Sequence, residues 1–337
     1  MDIRLLDVDD QATVDGYYEL SRLTWAADIP DFPAPCREGF LAGLRHPWPG
    51  AAHEHLLAWA DGRVVGRVEV QLPQLDNRDS ASILIAVRPD YRRRGIGTEL
   101  LARAIDIASA HDRVRIVADT VGTLDGGPPR DPAGREFALA AGAKNAAVEV
   151  RRRLDLGTAD ATEHAELLVE AWRHADGYRL IFWHGSVPEA HLAQAAYLDG
   201  RLLEDAPLGE LNWEPAKMDT SRFRSMEQAV MARRRRPYNA GAVHDSTGRL
   251  AAFTALAMDA TIPDHAWQNI TIVDPEHRGH RLGLLIKLAN LARVRRVEPA
   301  LAVLDTWNSE DNHRMIAINE TIGYRPVDRW SNWQLAI

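Results

Sequence analysis

The stretch Val87–Ala108, VRPDYRRRGIGTELLARAIDIA, places three arginines and a Gly-Ile-Gly between two patterns of different period. In front of it, the apolar run SILIAV, which ends at Val87, predicts a strand. Behind it, apolar residues recur every three or four positions, which predicts an amphipathic helix. Nearly the same order returns at Val273–Val294, VDPEHRGHRLGLLIKLANLARV, where the run NITIV ends at Val273. A strand, a basic turn that contains glycine and a helix therefore occur twice in this chain.

The repeat extends through both halves of the chain. A hairpin pattern with Asp61-Gly62 at its turn precedes the first basic turn, and AGAVHDSTGRLAAFTALAM, from Ala240, precedes the second. Each half then has one more strand and a helix that ends near a glycine, Gly142 or Gly323. This common order predicts an α/β (α+β) chain of two tandem domains, each with a mixed, mostly antiparallel sheet flanked by helices. We expect domains at residues 1–154 and 178–337 and a connecting helix at 155–177.

Length and composition narrow the class of protein. The chain has 337 residues, more than one hydrophobic core usually supports, and a net charge of −8. An acidic chain is a poor candidate for general nucleic-acid binding, and no apolar run approaches the ~20 residues that a membrane span needs. The single cysteine, Cys36, excludes an intramolecular disulfide and fits a reducing compartment. We therefore expect a cytoplasmic protein, monomer or homodimer, without nucleic-acid or membrane partners.

The basic turn has the composition of a phosphate-binding loop. The first N–H groups of a helix have no partner within the helix, and the helix dipole makes that end positive. Glycine lets an anion approach the backbone closely, and arginine adds charge and paired donors. The sequence RRRGIG at 92–97 is neither a Walker A loop nor a dinucleotide-binding G-x-G-x-x-G. The turn therefore predicts a diphosphate site; the alternative, for a single copy, is an exposed helix start that happens to be basic.

The pattern R-x-x-G-x-G after an apolar strand, here Arg92, Gly95 and Gly97, resembles the coenzyme A loop of the GNAT acyltransferase superfamily. The likeness covers nearly the whole chain as two tandem copies. It implies that the pantetheine of acetyl-coenzyme A lies between two neighbouring strands that splay apart after a bulge. It also implies a first set of coenzyme-binding residues: the backbone of Ile85, Ala86 and Val87 for pantetheine, and Arg92, Arg93, Arg94, Gly95, Ile96, Gly97 and Thr98 for the phosphates.

The second copy departs from the family pattern. Arg281 stands where the motif has its first glycine, so this residue either obstructs a phosphate or adds a cation to it. By the same resemblance, the second set of coenzyme-binding residues is Ile272, Val273, Arg278, Gly279, His280, Arg281, Leu282, Gly283, Asn308 and Asn312. Asn312 has a second interpretation as a helix N-cap. We expect the tighter coenzyme binding in the first half.

Residues for proton transfer are less evident. The family places a Tyr, its usual proton donor, near the end of the last helix, where the two halves of this chain have Ala138 and Asn319. The best candidate for a catalytic carboxylate is Glu69, on the predicted strand VVGRVEVQL; the alternative is a solvated strand glutamate. No metal is expected: His53 and His55 would share one face of an extended strand, but the sequence identifies no third ligand.

These features together predict an acyl-coenzyme A-dependent N-acetyltransferase. Acetyl would pass from acetyl-coenzyme A to a primary amine of a small molecule or a peptide. Two alternatives stay open. The chain could be a non-catalytic acyl-coenzyme A sensor, which the two missing Tyr residues would explain, or an interaction scaffold whose loops hold no ligand.

Overall fold

Among the strand pairs described, each half of the chain contains one parallel pair, and the repeated turn follows the first strand of each pair. The computed structural model describes residues 2–205, 207 and 209–337. The described residues of Met1–Glu149, Leu208–Glu214 and Asp328–Ile337 form one compact unit, and those of Val150–Pro207 and Pro215–Val327 form a second. In each unit a mixed, mostly antiparallel sheet is flanked by helices, which confirms the predicted fold class. Within the described ranges, no helix combines the length and apolar character that a membrane crossing requires.

The first unit holds the first basic turn. Its elements are β1 (Asp2–Leu5), α1 (Gln11–Asp28), α2 (Arg37–Arg45), β2 (Ala51–Ala60), β3 (Arg63–Pro73), β4 (Ser80–Val87), α3 (Ile96–Ala110), β5 (Arg115–Thr123), α4 (Ala133–Ala140), the beginning of β6 (Lys144–Asp155) and the end of β12 (Arg325–Ala336). The strand order is β1-β2-β3-β4-β5-β12. Only the β4–β5 pair is parallel among the strand pairs described in this unit.

Alternation along β4 separates the two faces of this sheet. The odd-numbered residues of Ala81–Val87 belong to the core beneath α3, where Leu100 and Ala104 are fully buried. On the opposite face, Tyr17 of α1 packs beside Leu57 of β2. Two helices thus cover different faces of the sheet, and the loop before α3 lies at the carboxyl end of β4.

The second unit repeats this plan with a different set of helices. Its elements are the end of β6, α5 (Ala161–Trp172), β7 (Tyr178–His184), α6 (Leu192–Gly200), α7 (Leu202–Asp205), α8 (Thr220–Ala232), β8 (Arg235–His244), β9 (Leu250–Asp259), β10 (His265–Val273), α9 (Leu282–Val297), β11 (Val303–Ser309), α10 (His313–Ile322) and the beginning of β12. The strand order is β7-β8-β9-β10-β11-β6. β10 and β11 are parallel, whereas β7–β8, β8–β9 and β9–β10 are antiparallel.

Helix α9 lies at the centre of the second unit. Every residue from Leu282 to Leu291 is buried, so this helix has no solvent-exposed face over its first three turns. Leu167 and Leu168 of α5 pack against the same core. The helix within the predicted connecting segment therefore packs on the second unit.

The closing strands of the two repeats join sheets in an order that the repeat does not reveal. The end of β12 belongs to the first unit, where it pairs antiparallel with β5 from Asp328↔Thr123 to Ala336↔Arg115. The end of β6, from Val150, belongs to the second unit, next to β11. The predicted boundaries, 1–154, 155–177 and 178–337, follow the repeat in the sequence. The compact units divide the chain differently, because backbone hydrogen bonds decide which sheet a strand joins.

Candidate active site

Two loops with the same pattern of left-handed residues join the parallel strands to α3 and α9. In the first loop Arg93 has a φ of 62° and Gly95 a φ of 81°. In the second loop Gly279 has a φ of 92° and Arg281 a φ of 52°. These residues hold the second and fourth positions of their motifs, so the two copies exchange glycine and arginine between the same two left-handed positions. The sequence difference between the loops therefore leaves the backbone pattern intact.

The exchange changes what stands directly before each helix. Gly95 is the N-cap of α3, and a Cβ built on it would meet no atom within 4 Å. Arg281 is the N-cap of α9, and its side chain extends toward Glu170, with Nη1 3.5 Å from the carboxylate. A left-handed conformation costs an L-residue about 1–2 kcal/mol. The second loop thus carries a strained, positively charged residue where the first loop has open space.

Neither of these two helix starts is closed by a side chain. The side chain at neither N-cap, Gly95 of α3 or Arg281 of α9, accepts a hydrogen bond from the N–H groups of its helix. By contrast, side chains cap five other helices: Asp10 for α1, Cys36 for α2, Asp160 for α5, Asp219 for α8 and Asn312 for α10. The first N–H groups of α3 and α9 have no intrahelical partner, so they remain available to an anion. Ile96 and Leu282 have buried side chains and can offer only their backbone to such an anion.

The parallel strands separate at the place where pantetheine was expected. β4 and β5 pair only from Ser80↔Arg115 to Ser82↔Val117 among the described residues. Over the same described part of the chain, β10 and β11 pair from His265↔Val303 to Trp267↔Asp305. Beyond these pairs, one edge of β4 and one edge of β10 have no strand partner within the part of the chain that the structure describes. The predicted pantetheine residues lie in these edges: Ile85, Ala86 and Val87 in β4, and Ile272 and Val273 in β10.

A bulge accompanies the splay in β10 but not in β4. The β9–β10 register shifts between Gln268 and Thr271, whereas the β3–β4 register is regular throughout. Ala266 and Val273 of β10 therefore face the same core although they lie an odd number of residues apart. The Gln268 side chain fills the bulge, with Nε2 donating to Ala255 O at 2.9 Å and to Thr254 Oγ1 at 3.0 Å. The strand at the separation is therefore bulged in the second unit and regular in the first.

Arg92 ties the first loop to the surrounding elements. Its Nη2 donates to both carboxylate oxygens of Asp28 at 2.7 and 2.9 Å, and its Nη1 donates to Asp131 at 2.6 Å. Its Nε donates to Val87 O at 3.2 Å. Asp131 also accepts from the Ala133 N–H at 2.9 Å, at the start of α4. The guanidinium thus joins the end of α1, the start of α4 and the end of β4, and its contact with phosphate stays a prediction.

Arg93 and Arg94 have more freedom than Arg92. The Arg93 side chain is 82% exposed, and its Nη1 lies 3.8 Å from Glu136. Arg94 lies over the Tyr91 ring at 4.7 Å and donates to Asp90 O at 2.8 Å. These two cations stand at the surface in front of α3, so they are the better candidates for phosphate contacts. Thr98 is exposed in the first turn of the same helix.

The second loop is held by the end of α5. His280 Nδ1 lies 3.2 Å from His174 O, next to the contact between Arg281 and Glu170. Arg278 and Gly279 are exposed. Contacts with α5 and the turn after it therefore hold the loop of the second unit in place. In the first unit, the hydrogen bonds of Arg92 hold the loop.

The last glycine of each motif permits close packing of two helices. A Cβ on Gly97 would lie 3.3 Å from the Phe137 ring of α4, and a Cβ on Gly283 would lie 3.3 Å from Ile318 Cδ1 of α10. Both distances are shorter than ordinary van der Waals contact. Glycine at this position therefore serves the packing of α3 on α4 and of α9 on α10.

A chain of polar groups reaches from the interior of α9 to the end of β11. Lys287 Nζ donates to Asn319 Oδ1 at 2.6 Å, and Asn319 Nδ2 donates to Asn308 Oδ1 at 2.6 Å. Lys287 is only 4% exposed, and burial lowers its pKa to about 7. Asn312 caps α10 by accepting from the Met315 N–H at 3.1 Å, as its second interpretation anticipated. Sequence reasoning missed Lys287; its signal was one lysine in the apolar run LLIKLANL.

Glu69 lies on β3, on the face of the sheet that α1 covers. Its Oε1 is 3.2 Å from His53 Nδ1, and its Oε2 is 3.8 Å from Arg67 Nη1. Burial alone would raise the pKa of Glu69, but the His53 hydrogen bond and the charges of His55 and Arg67 lower it to about 2. Tyr17 Oη accepts from Arg67 Nη1 at 3.0 Å and lies 3.2 Å from His55 Nδ1. The carboxylate is therefore ionised and surrounded by histidine, tyrosine and arginine.

Sequence comparison gives three findings. The sequence profile of the Acetyltransferase (GNAT) family matches residues 17–124. A mycothiol acetyltransferase of Nocardia farcinica is 26% identical over 331 residues, which cover 94% of this chain and 92% of the relative. A mycothiol acetyltransferase of Nocardiopsis dassonvillei is 38% identical over 96 residues, 28% of each chain.

Solved structures extend this likeness to the whole chain. A tandem GNAT protein from the clavulanic acid biosynthesis pathway, solved without AcCoA, is 34% identical with a TM-score of 0.86, over 99% of this chain and 98% of that one. A GCN5-related N-acetyltransferase from Sphaerobacter thermophilus shares the fold, with a TM-score of 0.67 at 15% identity over 99% of this chain and 95% of that one. Fold and loops together define an N-acetyltransferase. The chain belongs to the GNAT family, in its tandem two-domain form, which confirms the resemblance found in the sequence.

Proposed function

We propose that this chain transfers an acetyl group from acetyl-coenzyme A to a primary amine of a small molecule or peptide. The observation that carries the proposal is the start of α3. There, uncapped N–H groups follow a left-handed glycine with open space around it, beside the free edge of β4. Backbone N–H groups at a helix start bind phosphate well, and Arg93 and Arg94 add positive charge in front of them.

The free strand edges support the proposal for the pantetheine arm. Pantetheine contains two amides, and an unpaired strand edge offers N–H and C=O groups at the spacing of a ladder. In the first unit this edge includes Ile85–Val87, and in the second unit it includes Ile272 and Val273. A thioester at the end of the arm would reach the interior of the splay.

The chemical step requires a neutral amine, a stabilised oxyanion and a departing thiolate. The amine nitrogen forms a bond to the acetyl carbon, the C–S bond breaks, and the proton that the amine loses passes to the departing thiolate, directly or through solvent. Backbone N–H groups of the free strand edge would stabilise the oxyanion. A thiolate leaves without strong acid assistance, so Ala138 and Asn319 at the Tyr positions are compatible with turnover.

Glu69 enters this proposal as a fixed negative charge. A carboxyl group with a pKa of about 2 is ionised at neutral pH and accepts a proton weakly. We therefore assign it the task of holding a positive charge on the face covered by α1.

The names of the two curated relatives, both mycothiol acetyltransferases, favour a small-molecule acceptor over a protein.

The test is release of free thiol from acetyl-coenzyme A in the presence of amines, amino sugars and aminoglycosides. Gly97→Val should weaken coenzyme A binding at least tenfold, because its side chain would collide with the Phe137 ring of α4 and displace the start of α3. Gly43→Val is the matched control, since Gly43 lies in a helix of the same unit with nothing within 4 Å of its Cβ. Circular dichroism would confirm that both variants fold.

A second function, acyl-coenzyme A sensing without turnover, draws support from one observation. Neither Ala138 nor Asn319 can donate a phenolic proton at the family's Tyr position. A sensor would bind coenzyme A tightly and release no thiol with any amine of a broad panel. A chain that binds no coenzyme A at all would contradict both functions and favour the scaffold.

A further inference from the structure

A cluster of two histidines and one glutamate lies on the first sheet, on the face that α1 covers. His53 and His55 are two residues apart on β2, so their rings point to the same face. β3 pairs antiparallel with β2 and places Glu69 directly opposite His55. One ring nitrogen from each histidine and one oxygen of Glu69 lie within 4.8 Å of one another. The neighbouring strand thus supplies the third ligand that the sequence did not identify.

We propose that His53, His55 and Glu69 bind a divalent transition-metal ion, with Zn²⁺ as the best match. Two imidazole nitrogens and one carboxylate oxygen are a donor set that zinc takes where three protein ligands leave a fourth position open. Zinc–ligand distances of about 2.1 Å imply separations of about 3.4 Å between ligand atoms. The present separations, up to 4.8 Å, must therefore shorten when the metal binds. The proposal does not rest on acetyl transfer.

The surroundings of the two imidazoles fit a metal site. Tyr17 Oη lies 3.2 Å from His55 Nδ1, which is the kind of outer contact that orients a metal-binding histidine. The His53 side chain is 8% exposed, and its Nε2 is buried without a hydrogen-bond partner among the described residues. The cluster therefore presents two imidazole rings beside one carboxylate.

The positive charge of Arg67 opposes the binding of a metal ion at this cluster. Its Nη1 lies 3.8 Å from Glu69 Oε2, whereas His53 approaches Oε1. Its guanidinium also donates to Tyr17 and lies 5.2 Å from the Tyr17 ring centroid. The two cations would thus use different oxygens of Glu69. Their repulsion lowers the metal affinity, which we expect to be micromolar rather than nanomolar.

The test is a titration of the full chain after metal has been removed with a chelator. ZnCl₂ binding is followed by calorimetry and CoCl₂ binding by visible absorption, at neutral pH without acetyl-coenzyme A. We expect one equivalent of metal, the visible bands of tetrahedral Co²⁺, and affinity at least tenfold lower in Glu69→Gln and in His55→Gln. Glu54→Gln is the matched control: Glu54 lies between the two histidines on β2 and faces His111, at 3.7 Å. Its metal affinity should equal that of the wild type.

Thermal unfolding gives a second readout. Zn²⁺ should raise the Tm of the wild type and of Glu54→Gln but not that of Glu69→Gln or His55→Gln. The two ligand variants are independent, so poor folding of one leaves the other to decide. Absence of the Co²⁺ bands, or equal zinc affinity in the wild type and the ligand variants, would overturn the proposal. Thiol release measured with chelator present reports on acetyl transfer separately.

Discussion

At the scale of single residues, the three arginines of the first loop have different tasks. Arg92 neutralises Asp28 and Asp131, whereas the Arg93 side chain is 82% exposed. Arg92→Met should lower the free energy of unfolding by about 2 kcal/mol, because it leaves the half-buried carboxylate of Asp28 and the exposed one of Asp131 without their cation. Arg93→Met should change stability by less than ~0.5 kcal/mol but weaken coenzyme A binding, because the phosphates lose a cation.

Urea unfolding and calorimetry on the two variants separate these effects. Equal losses of stability would show that Arg93 also supports the fold. Equal coenzyme affinity in Arg93→Met and the wild type would move the phosphate contacts to other residues of the loop.

Lys287 should make stability depend on pH. Burial lowers its pKa from 10.5 to about 7, so between these values the unfolded chain binds more protons than the folded chain. Below pH 7 the folded chain carries the whole free-energy cost of burying a charged Lys287 amine. Above pH 7 this cost falls by about 1.4 kcal/mol per pH unit. The free energy of unfolding of Lys287→Met, relative to the wild type, should therefore decrease between pH 7 and pH 10.

Urea titrations of wild type and variant at several pH values measure this slope. Lys144→Met serves as the control, since it removes the same charge from an exposed position. A flat difference for Lys287→Met would mean that the buried amine is charged throughout.

At the scale of secondary structure, the β10 bulge distinguishes the two units. Gln268 is 6% exposed and bonds to Thr254 and Ala255 across the bulge. Gln268→Leu should cost about 1–3 kcal/mol, because it removes the hydrogen bonds that Gln268 Nε2 donates to Ala255 O and to Thr254 Oγ1 across the bulge. The same substitution should also lower the affinity of the second loop for coenzyme A. Gln71→Leu, on the regular strand β3, should cost less, and equal unfolding midpoints for the two variants would contradict this account.

Local elements followed from the sequence because their signals are local. The hairpin at Asp61-Gly62 has φ values of 51° and 70°, and the helix-ending glycines Gly142 and Gly323 have φ values of 81° and 103°. All are positions where glycine or aspartate tolerates a left-handed backbone. The bulge in β10 gave no such signal, since one extra residue shifts the pairing without changing the composition.

At the scale of the whole molecule, duplication predicted the architecture but not the partners of each strand. A repeat specifies the order of elements, whereas the pairing of the end of β12 with β5 depends on hydrogen bonds between residues far apart in sequence. The site shows the same limit. The loop glycines were found from their spacing. The meeting of Glu69 with His53, and of Lys287 with Asn319, required the register of neighbouring strands and the packing of helices.

The two loops of one chain predict unequal coenzyme sites. Gly95 leaves open space before α3, whereas Arg281 places a side chain at the equivalent position before α9. Calorimetric titration of the full chain with coenzyme A should therefore give one tight equivalent and one weaker equivalent. Gly97→Val should remove the tight one and Gly283→Val the weak one, because each new side chain would push the start of its helix away from the neighbouring helix, α4 or α10.

Arg281→Gly tests the cause of the inequality directly. Glycine adopts the φ of 52° without strain and removes the side chain from the path of the phosphates. If that side chain obstructs the diphosphate, the weak equivalent should approach the affinity of the tight one. If its charge assists binding, the coenzyme A affinity of the second loop should fall instead. The weaker binding at that loop must then arise from the β10 bulge. A single equivalent that survives Gly97→Val and disappears in Gly283→Val would assign tight binding to the second unit.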